Sequence, residues 1–177
     1  MQQTPHQRRS IRLKGYDYSS PGAYFITICT HRQRCLFGNI VDGQMQLNAI
    51  GDIVVDEWLQ TAAIRRETEL DEWVVMPNHF HAILFIRSCR GTARRAPTST
   101  CERFGKPVAG SLPTIVRAFK SAVTRRVNER QNTPGAKIWQ RNYWEHIIRS
   151  ETELNGLREY IRNNPARWSL DRLYVAP

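Results

Sequence analysis

The order in which strand-like and helix-like segments follow one another constrains this chain more than any other feature. Ala23 to Thr30 is an aromatic and β-branched run and reads as a strand. Leu36 to Leu47 reads as a hairpin turning at Asp42-Gly43. Asn48 is an N-cap for a helix to about Arg66, with Ile50, Val54, Trp58 and Ala62 recurring every four residues. Glu72 to Met76 and Phe80 to Ile86 read as two strands around Pro77-Asn78. A basic helix follows from about Thr114 to Arg130, with Ile115, Phe119, Ala122 and Val127 toward the core. Lys137 to Ile148 reads as a strand. Ser150 and Glu153 form a capping box opening a last helix that ends before Pro165, a proline that also disfavours helical geometry at Asn164. With the hairpin set aside, the order is strand, helix, strand, strand, helix, strand, helix. That is the split βαβ arrangement of an α+β, ferredoxin-like (RRM-like) fold: an antiparallel sheet, helices on one face, and a further C-terminal helix. Many unrelated activities use this fold, so function has to come from particular residues.

At 177 residues the chain fits one domain. Residues 1–20 read as a basic arm, 21–170 as the folded domain and 171–177 as a tail. Residues 87–112, poor in apolar side chains and rich in Gly, Pro, Ser, Thr and Arg, read as a long basic loop. No run approaches the ~18 apolar residues of a membrane span, and no apolar stretch behind the N-terminus suggests a secretory signal. Cys29, Cys35, Cys89 and Cys101 form no CxxC pair, as expected of reduced thiols in the cytoplasm.

Charge narrows the function classes. The net charge is +10, and it is uneven. Residues 1–35 carry six basic and one acidic residue, and 87–130 carry eleven and two, whereas 36–86 carry two and eight. A chain that handles small metabolites has no need of this; a polyanion binder does. The other reading is a basic face kept for solubility.

Two constellations carry chemistry. In His79-Phe80-His81 the strand period of two puts both imidazoles on one face, where they could supply two nitrogen ligands to a divalent metal. An isolated His-x-His also arises by chance on an exposed strand. Tyr160 and Asn164 are four apart on the last helix and share a face, beside a buried stripe of Leu154, Leu157 and Ile161. On its own that pair reads equally as a packing tyrosine followed by a C-terminal asparagine. His146, on the strand before that helix, reads as a structural or surface histidine or as a base near Tyr160.

Taken together, the segments GYDYSSPGAYFITICTHR (15–32), WVVMPNHFHAILFI (73–86), WQRNYWEHIIR (139–149) and YIRNNPARW (160–168) resemble the REP-associated tyrosine transposases, of the HUH single-tyrosine (IS200-like) group. The resemblance implies that His79, His81 and Asn164 hold a divalent ion, Mg²⁺ or Mn²⁺, and that Tyr160 is the nucleophile. It also implies a metal-dependent endonuclease and strand transferase acting on single-stranded, hairpin-bearing DNA through a 5′-phosphotyrosine. Such a protein is expected to be cytoplasmic and nucleoid-associated, a monomer or homodimer, with no membrane partner. By the same resemblance the arm reads a short single-stranded tag: Arg8, Arg9, Arg12 and Lys14 could hold phosphates, and Tyr16 or Tyr18 could stack on a base or else only anchor the arm. Arg117, Lys120, Arg125 and Arg126 could track a hairpin stem. Two other classes stay open: a non-catalytic nucleic-acid binder on the same fold, although an RNP1-type run is absent, and a metal-dependent hydrolase drawing on the acidic stretch 67–72.

Overall fold

The computed structural model describes residues 13, 15–87 and 108–175. Among the described residues six strands and three α-helices follow in the order β1 (Gly22–Cys29), β2 (Gly38–Val41), β3 (Gln44–Leu47), α1 (Ala49–Ile64), β4 (Thr68–Met76), β5 (His79–Ile86), α2 (Leu112–Gln131), β6 (Trp144–Ile148) and α3 (Glu151–Asn163). The main sheet has the order β4-β5-β1-β6, antiparallel throughout. This is the expected α+β, ferredoxin-like arrangement, with the β2-β3 hairpin standing apart between β1 and α1.

The two faces of the sheet bury different helices. Tyr24, Ile26 and Ile28 of β1 and Phe80, Ala82, Leu84 and Ile86 of β5 meet α1 and α2 in the larger core. At its centre Trp58, Phe80 and Phe119 pack ring against ring, with centroids 5.0–5.4 Å apart. The opposite face carries Phe25, Ile83 and Ile148, covered by Leu154 and Ile161 of α3. The period of two therefore delivers His79 and His81 to the α3 side.

Local chemistry explains most boundaries. Asp42 (φ 50°) and Gly43 (φ 73°) make the left-handed hairpin turn. The Asn48 side chain accepts from the backbone N–H groups of Ile50 (2.9 Å) and Gly51 (3.1 Å), capping α1. Where α1 meets the hairpin, a Cβ on Gly51 would lie 2.3 Å from the Phe37 carbonyl, so only glycine fits. Ser150 Oγ caps α3 through the Glu153 N–H at 3.2 Å. The Glu153 carboxylate does not close the box onto Ser150: it accepts from the Arg149 N–H (2.8 Å) and meets His146 Nε2 (2.6 Å).

Three elements differ from the expectation. β4 starts at Thr68, four residues early, because an edge strand tolerates the polar run TELDE, and a register shift between Leu70 and Trp73 breaks its alternation. Of the strand expected over 137–148 only Trp144–Ile148 pairs with β1; Trp139 makes an isolated bridge to Thr30. Asn164 is helical (φ −59°, ψ −44°) despite Pro165, since the proline opens a 3-10 turn over Pro165–Leu170.

Candidate active site

β5 places His79 and His81 next to each other, ring centroids 4.5 Å apart, both buried. Their orientation is built by neighbours. Asn78, 1% exposed, gives its side-chain N–H groups to the carbonyls of Gln33 (3.3 Å) and Leu173 (2.7 Å). Its Oδ1 therefore faces His79 Nδ1 at 2.8 Å and accepts that proton. His79 is thereby held as the Nδ1–H tautomer, and its Nε2 lone pair points into the site with no hydrogen-bond partner. His81 Nδ1 pairs with Thr27 Oγ1 at 2.8 Å, and its Nε2 lies 3.2 Å from the Tyr160 hydroxyl. Burial, only partly offset by Asp171, pulls the His79 pKa down to about 4. Burial and the neighbouring His79 push His81 well below the usual imidazole value. Both rings are neutral near pH 7, the state in which imidazole binds metals.

α3 brings Tyr160 of the same chain over this pair. Its ring packs edge-on to His81 (5.3 Å) and Phe25 (6.2 Å) and remains 44% exposed. The helix is locked against β4: Arg158 donates to both Asp71 oxygens (2.6–3.1 Å), and Arg162 donates to Glu72 (2.6 and 2.9 Å). Burial, and then the Asp171 carboxylate, raise the Tyr160 pKa above its usual value. The phenol is protonated in the resting site.

Asp171, a residue not singled out in the sequence, completes the cluster. Its Oδ2 accepts from Asn164 Nδ2 at 3.0 Å and from the Tyr160 hydroxyl at 3.4 Å. The segment 171–177, expected to be a tail, thus begins inside the site. Asp171 is the sole acid after Glu159, set between Arg167 and Arg172, and that isolation was its one signal. Asn164 reaches the site as well; its Oδ1 is buried and unpartnered. His79, His81 and Asp171 offer ligand atoms that all lie within 4.8 Å of one another. Neutral imidazoles, a carboxylate and two orphaned lone pairs are a donor set that fits a divalent cation.

The expected DNA contacts fare unevenly. Arg8, Arg9, Arg12 and Lys14, most of the 87–112 loop, Cys89 and Cys101 lie outside the described residues; Cys29 and Cys35 are free thiols. Tyr18 is a correction: at 4% exposure it is part of the core beside Tyr24, so its ring presents no platform for a base. Tyr16 packs against the same cluster, its hydroxyl 3.2 Å from that of Tyr24. Arg126 pairs with Glu57 (2.9 Å) and Asp56 (3.0 Å) of α1. Lys120 is half-buried and donates to the carbonyls of Gln140 (2.7 Å) and Arg141 (3.2 Å); burial pulls its pKa down to about 8. Arg117 and Arg125 are exposed and, with Lys137 and Arg141, line a basic cleft of about 630 Å³ between α2 and residues 135–143. His146 bonds Glu153.

The fold is that of a REP-associated tyrosine transposase. The solved structure of that protein bound to a REP hairpin superposes with a TM-score of 0.57 and 20% identity, covering 94% of this chain and 74% of that one. The chain belongs to the same family as an uncharacterized protein of Haemophilus influenzae (strain Rd), 43% identical over 172 residues, 96% of this chain and 94% of the relative. No protein-family model matches the chain. Among the described residues, no helix is long and apolar enough to cross a membrane.

Proposed function

We propose that the chain is a transposase that cuts and rejoins single-stranded DNA beside a hairpin, with Tyr160 as nucleophile. The observation that carries this reading is one cluster: a half-exposed phenol within 3.2 Å of a neutral, buried histidine whose partner histidine presents an unpaired lone pair. His79 and His81, with an oxygen of Asp171 or Asn164, would hold the divalent cation, Mg²⁺ or Mn²⁺. When bound, such a cation polarises the scissile phosphate and offsets its charge.

The chain's own residues supply the rest. Phe25 and the ion pairs of α3 hold the phenol over the site, limiting the motion that would misalign an attack. Asp171 is the carboxylate placed to take the phenolic proton. The Tyr160 oxygen forms a bond to phosphorus as the bond to the 3′ oxygen breaks, and the departing strand leaves as a 3′-OH. The product is a 5′-phosphotyrosine, and a second 3′-OH can reverse the step and join strands. The net charge of +10 and the basic cleft suit a polyanionic substrate.

The test is digestion of a hairpin with single-stranded flanks and of the same sequence as a blunt duplex, in Mn²⁺, with wild type and Tyr160→Phe. The reading expects cutting of the flanked hairpin alone, lost in the variant. Equal cutting of the duplex points to a general nuclease. Binding without cutting by wild type points to a non-catalytic nucleic-acid protein.

A further inference from the structure

β6 is an edge strand, and its first residue, Trp144, is 51% exposed on the same sheet face as His81 and Tyr160. Its ring stands edge-on to Phe25 at 5.7 Å, and Phe25 in turn touches His81 (5.4 Å) and Tyr160 (6.2 Å). Trp144 is also stacked on His146, planes 5° apart and centroids 5.8 Å, and His146 is pinned by Glu153 at the first turn of α3. An indole braced this way has little side-chain freedom left to lose when a flat ligand settles on it.

The basic cleft lies against α2, on the other side of the sheet from this platform. Residues 135–143, which form one wall of the cleft with Arg117 and Arg125 opposite, run directly into Trp144. The chain passes from the cleft wall to the platform within one residue, Tyr143 lining the cleft and Trp144 opening β6.

We propose that Trp144 is a base-stacking subsite for single-stranded DNA. It takes an unpaired nucleobase of the flank beside the phosphate presented to Tyr160. The inference rests on the transposase reading above and adds the element that sets how the flank enters. Stacking needs a π-face rather than a particular hydrogen-bond pattern, so the subsite tolerates any base.

The experiment compares wild type, Trp144→Ala and Trp144→Phe on a fluorescein-labelled hairpin with a single-stranded flank and on the same hairpin without it. A parallel flanked hairpin carries 2-aminopurine at the unpaired positions. Wild type is expected to quench the 2-aminopurine. Trp144→Ala should lose the quench and bind the flanked hairpin roughly tenfold more weakly, with affinity for the bare hairpin unchanged. Trp144→Phe should restore most of both. Unaltered quenching and affinity in Trp144→Ala overturn the proposal. So does an equal loss on both DNAs, failure of wild type to bind the flanked hairpin, or a change of oligomeric state with flank binding intact, which would mark the ring as a contact between copies. An adduct on wild-type Tyr160 with quench and flank affinity unaltered in Trp144→Ala sinks this inference and spares the transposase reading; a flank-specific loss in Trp144→Ala with no adduct from wild type does the reverse.

Discussion

Asn78 ties together the two halves of the candidate site, so replacing it should loosen both. Its three side-chain hydrogen bonds hold the Gln33 loop, the Leu173 carbonyl and the His79 ring. Asn78→Ala removes all three from a nearly inaccessible position and strands the His79 Nδ1–H. At about 1 kcal/mol net per bond, with the 3.3 Å bond to Gln33 the weakest, the loss is roughly 2–3 kcal/mol. For a chain of this size that corresponds to a fall in Tm of about 5–10 °C. Freed from Asn78, His79 can adopt the other tautomer, and orienting partners of this kind are worth about 10–100-fold in metal affinity. Asn78→Asp separates the effects. Its carboxylate still accepts from His79 but repels the carbonyls of Gln33 and Leu173, so the tautomer survives while the segment carrying Asp171 loosens. Thermal unfolding with and without Mn²⁺, and calorimetric titration of Mn²⁺, read both quantities. Wild-type Mn²⁺ affinity in Asn78→Ala would refute the argument that this side chain sets the histidine.

Acid should destabilise the fold through the buried histidines. Their folded pKa values lie below the unfolded ~6.5, so the unfolded chain binds more protons, and stability falls as pH drops from about 6.5 toward 4; denaturant midpoints of wild type and His79→Gln across that window check it, the variant sloping less. Arg117→Ala with Arg125→Ala should weaken hairpin binding and flatten the slope of log K against log salt by about 1.5, while Arg126→Ala leaves both unchanged because its charge is spent on Glu57 and Asp56. Salt titration by anisotropy decides between them. Trp58→Ala, emptying the fully buried ring between Phe80 and Phe119, should cost about 3–5 kcal/mol in urea unfolding.

Much of this architecture can be read from local chemistry. The Asp42-Gly43 turn, the Asn48 and Ser150 caps and the alternation through His79-Phe80-His81 each act within a few residues, and each is realised. What eluded the sequence depends on tertiary partners. Arg126 and Lys120 look outward on a helical wheel, yet acids of α1 and the carbonyls of Gln140 and Arg141 claim them. Tyr18 looks like part of a solvated arm, but Tyr24, near the start of the central strand β1, gives it a core to enter. The early half of β4 is masked because an edge strand needs no apolar alternation. Part of the acidic block 36–86 is consumed in ion pairs from Asp56, Glu57, Asp71 and Glu72 to three arginines. Asp171 lies seven residues beyond Asn164, and only the 3-10 turn after Pro165 folds it back to the histidines.

The central claim is that Tyr160 forms a covalent bond to DNA at the His79–His81 cluster. The direct measurement is incubation with a flanked hairpin in Mn²⁺, denaturing quench, proteolysis and mass spectrometry of the nucleotide-bearing peptide. The account predicts a phosphodiester adduct on the peptide containing Tyr160, absent in Tyr160→Phe and absent when the metal is chelated. An adduct on another residue, or cleavage of the hairpin flank with no adduct at any stage, would contradict it.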